Sequence, residues 1–121
     1  VHCLENTRES ELIDEIKNNI STVIPKNSTN GFHVPEFQKF LAENRNIKNF
    51  IVCGDCTDIC VHNFCITLKT YFSQNNIKSR VIVPLNAVET YDGGIHNAEF
   101  MNLSALMIME TNGIELAKEI D

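Results

Sequence analysis

Two short, uninterrupted apolar runs limit the folds open to this chain. NFIVCG (49–54) and SRVIVP (79–84) lack the alternation of a half-exposed strand and end at glycine or proline, the pattern of strands covered on both faces. Each is followed by a stretch with helical periodicity, one from Thr57 to Ser73 and one over 96–110, the latter stopped by Asn112-Gly113. Upstream, VPEFQKFLAENR (34–45) predicts a helix with Pro35 near its start and Phe37, Phe40 and Leu41 on one face. STVIPK (21–26) is β-branched and reads as a short strand with Lys26 just past its end. ESELIDEIKNN (9–19) reads as a short helix capped by Ser10, or as a tight acidic loop. Alternation of strand and helix with short loops predicts an α/β fold around a parallel sheet with helices on both faces, and such sheets bind ligands at the carboxyl ends of their strands.

At 121 residues the chain has room for one domain, taken as 1–121, with a real core. A formal charge of −6 argues against nucleic acid or an anionic membrane as partner, because phosphate binding runs on Lys and Arg. No run approaches the roughly 18 apolar residues of a membrane span, and the first residues lack a secretory leader's basic-then-apolar layout. Five cysteines, an odd number in a chain of ordinary globular composition, fit a reducing compartment, so the expected location is cytoplasmic. The chain begins Val1-His2-Cys3 without methionine, which reads as a processed product or a piece of something longer.

Four of those cysteines crowd into FIVCGDCTDICVHNFC (50–65). Cys53 belongs to the apolar strand and is expected to pack as a small hydrophobe. Cys65 falls on a helical stripe with Val61, Leu68 and Phe72, about 140° around the helix from Cys60. A zinc site needs a second short-spaced ligand pair to join Cys53-Gly-Asp-Cys56, and none exists. A thioredoxin-like site needs its first cysteine at the helix start, and here the helix begins too late for Cys53. Cys60 differs from all of these: it lies in the first helical turn at the end of a buried strand, where unpaired amides and the helix dipole favour a thiolate and can bind an oxyanion.

VCGDCTDICV (52–61) resembles the nucleophile turn of the isochorismatase-like cysteine hydrolases, the superfamily that includes nicotinamidases and N-carbamoylsarcosine amidases. VHCLENTRESELIDEI is similar to that family's segment after the metal-site loop, VIPKNSTNGF to the strand and loop carrying its lysine, and RVIVPLNAVETYD with His96 to the next strand and loop. The resemblance implies a three-layer, Rossmann-like isochorismatase fold of which this chain is the C-terminal two-thirds. It implies Cys60 as nucleophile, Lys26 as its cationic neighbour, a cis peptide at Asp55–Cys56, and the amides of Cys56 and Cys60 as oxyanion donors. Phe32, Tyr91 and His96 become candidates to line the substrate pocket.

The family's third catalytic residue, an aspartate on the first strand, has no counterpart here, since Asp58 reads as a helix cap and Asp92 lies in a later loop. Of the nicotinamidase metal ligands only His2 has a match, so a divalent Zn, Fe or Mn ion is a cofactor of the intact enzyme at most, and the covalent chemistry needs none. The expected partners are a small-molecule amide substrate and either a second copy in a homo-oligomer or the missing N-terminal segment. The expected reaction is acyl transfer to the Cys60 sulfur followed by hydrolysis, with this fragment inactive by itself. A catalytically silent scaffold subunit of the same fold is the alternative, and a CxxC redox or metal-binding protein the third reading.

Overall fold

The computed structural model describes residues 3–120. Its elements run α1 (Asp14–Lys17), α2 (Pro35–Glu43), β1 (Asn49–Ile51), β2 (Gly54–Asp55), α3 (His62–Gln74), β3 (Arg80–Pro84), β4 (Val88–Glu89), α4 (Ala98–Thr111) and β5 (Glu115–Ala117). One sheet has the order β1-β3-β5 and the other pairs β2 with β4, and every ladder is parallel. This is the parallel α/β class expected from the two apolar runs. The registers Phe50 to Val81 and Gly54 to Val88 keep the two chains side by side through both ladders. The 56–61 turn therefore emerges beside the loop that follows β4. Among the described residues no helix is long and apolar enough to cross a membrane.

The stripe Val61, Cys65, Leu68 and Phe72 is buried, as its spacing requires, and packs with Val81, Val83 and Met109 into one core. Burial pushes the Cys65 thiol up to about 12, which keeps it protonated and inert. Arg80 ties the strand ends together: its guanidinium grips both carboxylate oxygens of Glu115 on β5 and reaches Asn49 Oδ1 on β1 at 3.3 Å. That cluster is exposed and contributes little more than alignment.

Four local expectations are corrected. STVIPK forms no strand: among the described residues, 20–29 make no backbone–backbone hydrogen bond, and β-branched residues without a neighbouring strand stay a solvated extended segment, with Val23 59% exposed. Ser10 caps no helix; its hydroxyl donates to the Thr7 carbonyl, and α1 is a single turn whose flanking residue is Ile13. Cys53 is exposed. Phe50 and Val52 turn toward the core while Ile51, on the opposite pleat, is 54% exposed, and β1 pairs only with β3. The apolar run is thus covered on one face and stands at the edge of the sheet.

The fourth is β5, absent from the sequence-based reading. Helix α4 starts at Asn97, whose Oδ1 accepts the Phe100 N–H at 2.8 Å, and ends in a Schellman turn. Gly113, at φ +81°, donates to Glu110, and Ile114 donates back to Met109 at 3.1 Å with both side chains buried. The turn throws the chain back alongside β3. A Cβ at Gly113 would sit in left-handed backbone and 3.2 Å from Lys69 Cε. Gly113→Ala is therefore expected to cost about 1–2 kcal/mol in urea denaturation, and an unchanged midpoint would contradict this account of the turn.

Candidate functional site

The Asp55–Cys56 peptide bond is cis, and Gly54 before it has φ +120°, a conformation open only to glycine. Beyond it the chain does not enter a regular α-helix. Thr57–Val61 is one wide π turn, in which the N–H groups of Ile59 and Val61 both donate to the Cys56 carbonyl and that of His62 reaches back to Thr57. The Cys60 N–H lies between those donors and does not join them. Among the described residues the Cys56 N–H has no hydrogen-bond partner. The turn carries no side-chain cap, so polar donors are left at a helix start beside a half-buried thiol.

Lys26 arrives at that thiol from 34 residues away: its Nζ lies 3.9 Å from Cys60 Sγ and donates to the Ser28 carbonyl at 3.0 Å. The loop bearing it is fastened to one flank of α3. Asn63 Nδ2 donates to Thr29 Oγ1 at 3.2 Å and Asn30 Nδ2 to Thr67 Oγ1 at 2.8 Å, while Asn30 Oδ1 also accepts the Phe32 N–H. Cys60, Asn63 and Thr67 follow helical spacing, so the three contacts form one seam along the helix. Sequence reasoning missed this seam, although the i, i+3, i+7 run of polar residues beside the apolar stripe was its available signal. An open cleft of about 320 Å³ lies on the far side of Lys26, lined by Asn27, Ser28, Asn30, His33 and Glu36.

Asp58 is not a helix cap. Its Oδ1 accepts the Thr90 hydroxyl at 2.6 Å and its Oδ2 accepts His96 Nε2 at 2.7 Å, so a tertiary partner has taken the carboxylate from its own helix. His96 Nδ1 faces the Tyr91 carbonyl at 2.8 Å. With an acceptor at each ring nitrogen, both must donate, and the imidazole is held as imidazolium. Its hydrogen bond to Asp58 raises its pKa above 6.5 against the opposing effect of desolvation, helped by the Tyr91 carbonyl and the charges of Asp58 and Asp92. Burial by itself would raise Asp58, but hydrogen bonds from Thr90, His96 and its own N–H, with the charge of His96, hold it below 3.8. The pair is well covered, with the two side chains only 15% and 4% exposed.

The other candidates separate. Tyr91 stacks on His96, centroids 4.1 Å apart and planes within 6°, in a tight turn closed by Gly93 and His96. Phe32 points into the core and meets Phe37 and Tyr71. His2 lies outside the described residues, and among those described no group of three or more His, Cys, Asp or Glu side chains gathers to hold a metal ion. Cys60 accepts from Lys26 and from no carboxylic acid among the described residues.

The comparisons with known proteins concern the family and the fold. The isochorismatase domain model matches residues 1–112, and the chain belongs to that family. Among solved structures, the nicotinamidase of Staphylococcus aureus superposes with a TM-score of 0.75 at 22% identity, covering 99% of this chain and 72% of that one. The nicotinamidase/pyrazinamidase of Bacillus subtilis gives 0.74 at 20% identity, with 98% and 62% covered. At these identities the likeness concerns the fold, and this chain spans 62% to 72% of the length of those structures. A search of curated proteins found no match.

The Asp58–His96 pair also sets a pH window. His96 is held protonated above 6.5, so its share of the loop's docking is complete below that value and is lost as pH rises through the raised one. Asp58 is held ionised below 3.8, so its share is present above 3.8 and is lost as pH falls through the lowered value. Docking of the 91–97 loop is then strongest between the two. Amide exchange there, corrected for intrinsic rates, should be markedly faster at about pH 9 than at about pH 6, and equal protection would contradict the pairing.

Proposed function

We propose that this chain carries the nucleophile half of a cysteine hydrolase that cleaves a small amide. The observation that carries the reading is the approach of Lys26 Nζ to Cys60 Sγ at the mouth of the π turn. An ammonium there stabilises a thiolate, and the neighbouring N–H groups supply what the reaction needs next. The Cys60 sulfur attacks the amide carbonyl carbon, the negative charge on oxygen is received by the Cys56 and Cys60 N–H groups and by Lys26, and the C–N bond breaks as the nitrogen takes up a proton. Water then attacks the thioester and releases the acid with the thiol restored. The thiol's first proton goes to the aspartate that the family supplies from its first strand.

The amide is small and planar in this reading, since the relatives of known structure are described as nicotinamidases. Ammonia release from nicotinamide, pyrazinamide and related amides tests the proposal, measured with this chain joined to a first-strand segment that supplies the aspartate. Cys60→Ala is expected to abolish turnover with the fold intact, and Lys26→Met to lower it about 100-fold. Cys65→Ala is expected to keep turnover and cost about 1 kcal/mol of stability. Turnover that survives Cys60→Ala would overturn the proposal.

A further inference from the structure

We infer that His96 and Thr90 are positioning residues that limit the Asp58 carboxylate to its own N–H and hold it off the Cys56 and Cys60 amides, an inference that rests on the reading of Cys60 as the nucleophile. Aspartate at a helix start is among the best ligands for the free N–H groups there. Asp58 stands two residues before Cys60, yet no side-chain cap forms on the 57–61 turn. Both of its oxygens are drawn the other way, Oδ1 to Thr90 at 2.6 Å and Oδ2 to His96 at 2.7 Å. Those two residues are brought into reach by the β2–β4 ladder, which sets Asp55 opposite Glu89.

The consequence is chemical. A carboxylate released from the loop would turn onto the Cys56 N–H, which has no partner among the described residues, filling a donor that a developing oxyanion requires. It would also place a negative charge beside Cys60 and oppose the thiolate that Lys26 favours. His96 answers both problems by binding the carboxylate and by neutralising it. Its ring has no nitrogen left for substrate, and Tyr91 covers one face. His96 thus serves the reaction through Asp58, without touching the amide.

The test reads the rate of Cys60 alkylation by iodoacetamide at neutral pH, followed by peptide mass mapping. Thr90→Val keeps size and charge and removes one hydrogen bond; it is expected to slow Cys60 about threefold, and His96→Gln about tenfold. Adding Asp58→Ala to either variant is expected to return the rate to within about twofold of the parent. A merely structural role would give the opposite sign, because a loosened loop exposes Cys60 and speeds its alkylation. An unchanged or raised rate in Thr90→Val, or a slowed rate that Asp58→Ala leaves slow, overturns the inference. Should His96→Gln fail to fold by circular dichroism, the Thr90→Val pair decides. A protein that hydrolyses no amide even when joined to the first-strand segment with its aspartate would defeat the proposed function and leave these rate ratios standing. Flat ratios in a protein that does turn amide over would defeat this inference alone.

Discussion

The seam along α3, where Lys26, Thr29 and Asn30 meet Cys60, Asn63 and Thr67, is the constraint on which the chemistry of this chain depends. The segment before it has no sheet partner among the described residues, so nothing in the strand ladders fixes where Lys26 goes. Two neutral side-chain hydrogen bonds of about 1 kcal/mol each do that work. They succeed because α3 is itself rigid, its other flank being sunk in the core through Cys65, Leu68 and Phe72. Core packing thus sets the position of a helix, the helix sets a row of polar groups, and the row places an ammonium beside a thiol.

A second pair of charges works from the opposite side. Asp58 and His96 neutralise each other under cover of Thr90 and Tyr91, so among the described residues the only uncompensated charge that hydrogen bonds to Cys60 is the ammonium of Lys26. The π turn belongs to the same arrangement. By sending the Ile59 and Val61 amides to one carbonyl, it leaves the Cys56 amide, and that of Cys60 between them, out of that bond. The molecule has one half-buried thiol next to a cation and one fully buried thiol pushed up to about 12, and the contrast follows from two residues' different sides of one helix.

Legibility in the sequence tracked locality. The stripe through Val61 and Cys65, the Asn112-Gly113 stop and the parallel α/β class were readable because each is written in spacing along one element. The meeting of Lys26 with Cys60 was readable from the family resemblance, because the strand expected before Lys26 does not form. Cys53 misled because an apolar run looks the same at a sheet edge as at its centre. Asp58 misled for a related reason: its residue type suits a cap, and only the β2–β4 register reveals the histidine that outcompetes the helix. β5 begins with Glu115 and is three residues long, so no periodicity could announce it. It exists because a glycine turn delivers it to β3.

The central claim is that electrostatics, not exposure, decides which thiol of this chain reacts. Cys3 and Cys53 are exposed, Cys56 and Cys60 half-buried and Cys65 buried, and Lys26 Nζ approaches the half-buried Cys60, so exposure by itself would not put that thiol first. Labelling the protein at neutral pH with less than one equivalent of iodoacetamide, then mapping every cysteine peptide by mass spectrometry, separates the two. The account predicts that Cys60 is labelled first, ahead of the more open Cys3 and Cys53, and that Lys26→Met abolishes its lead. Labelling that simply follows exposure, with Cys3 and Cys53 ahead of Cys60 in the parent protein, would contradict it.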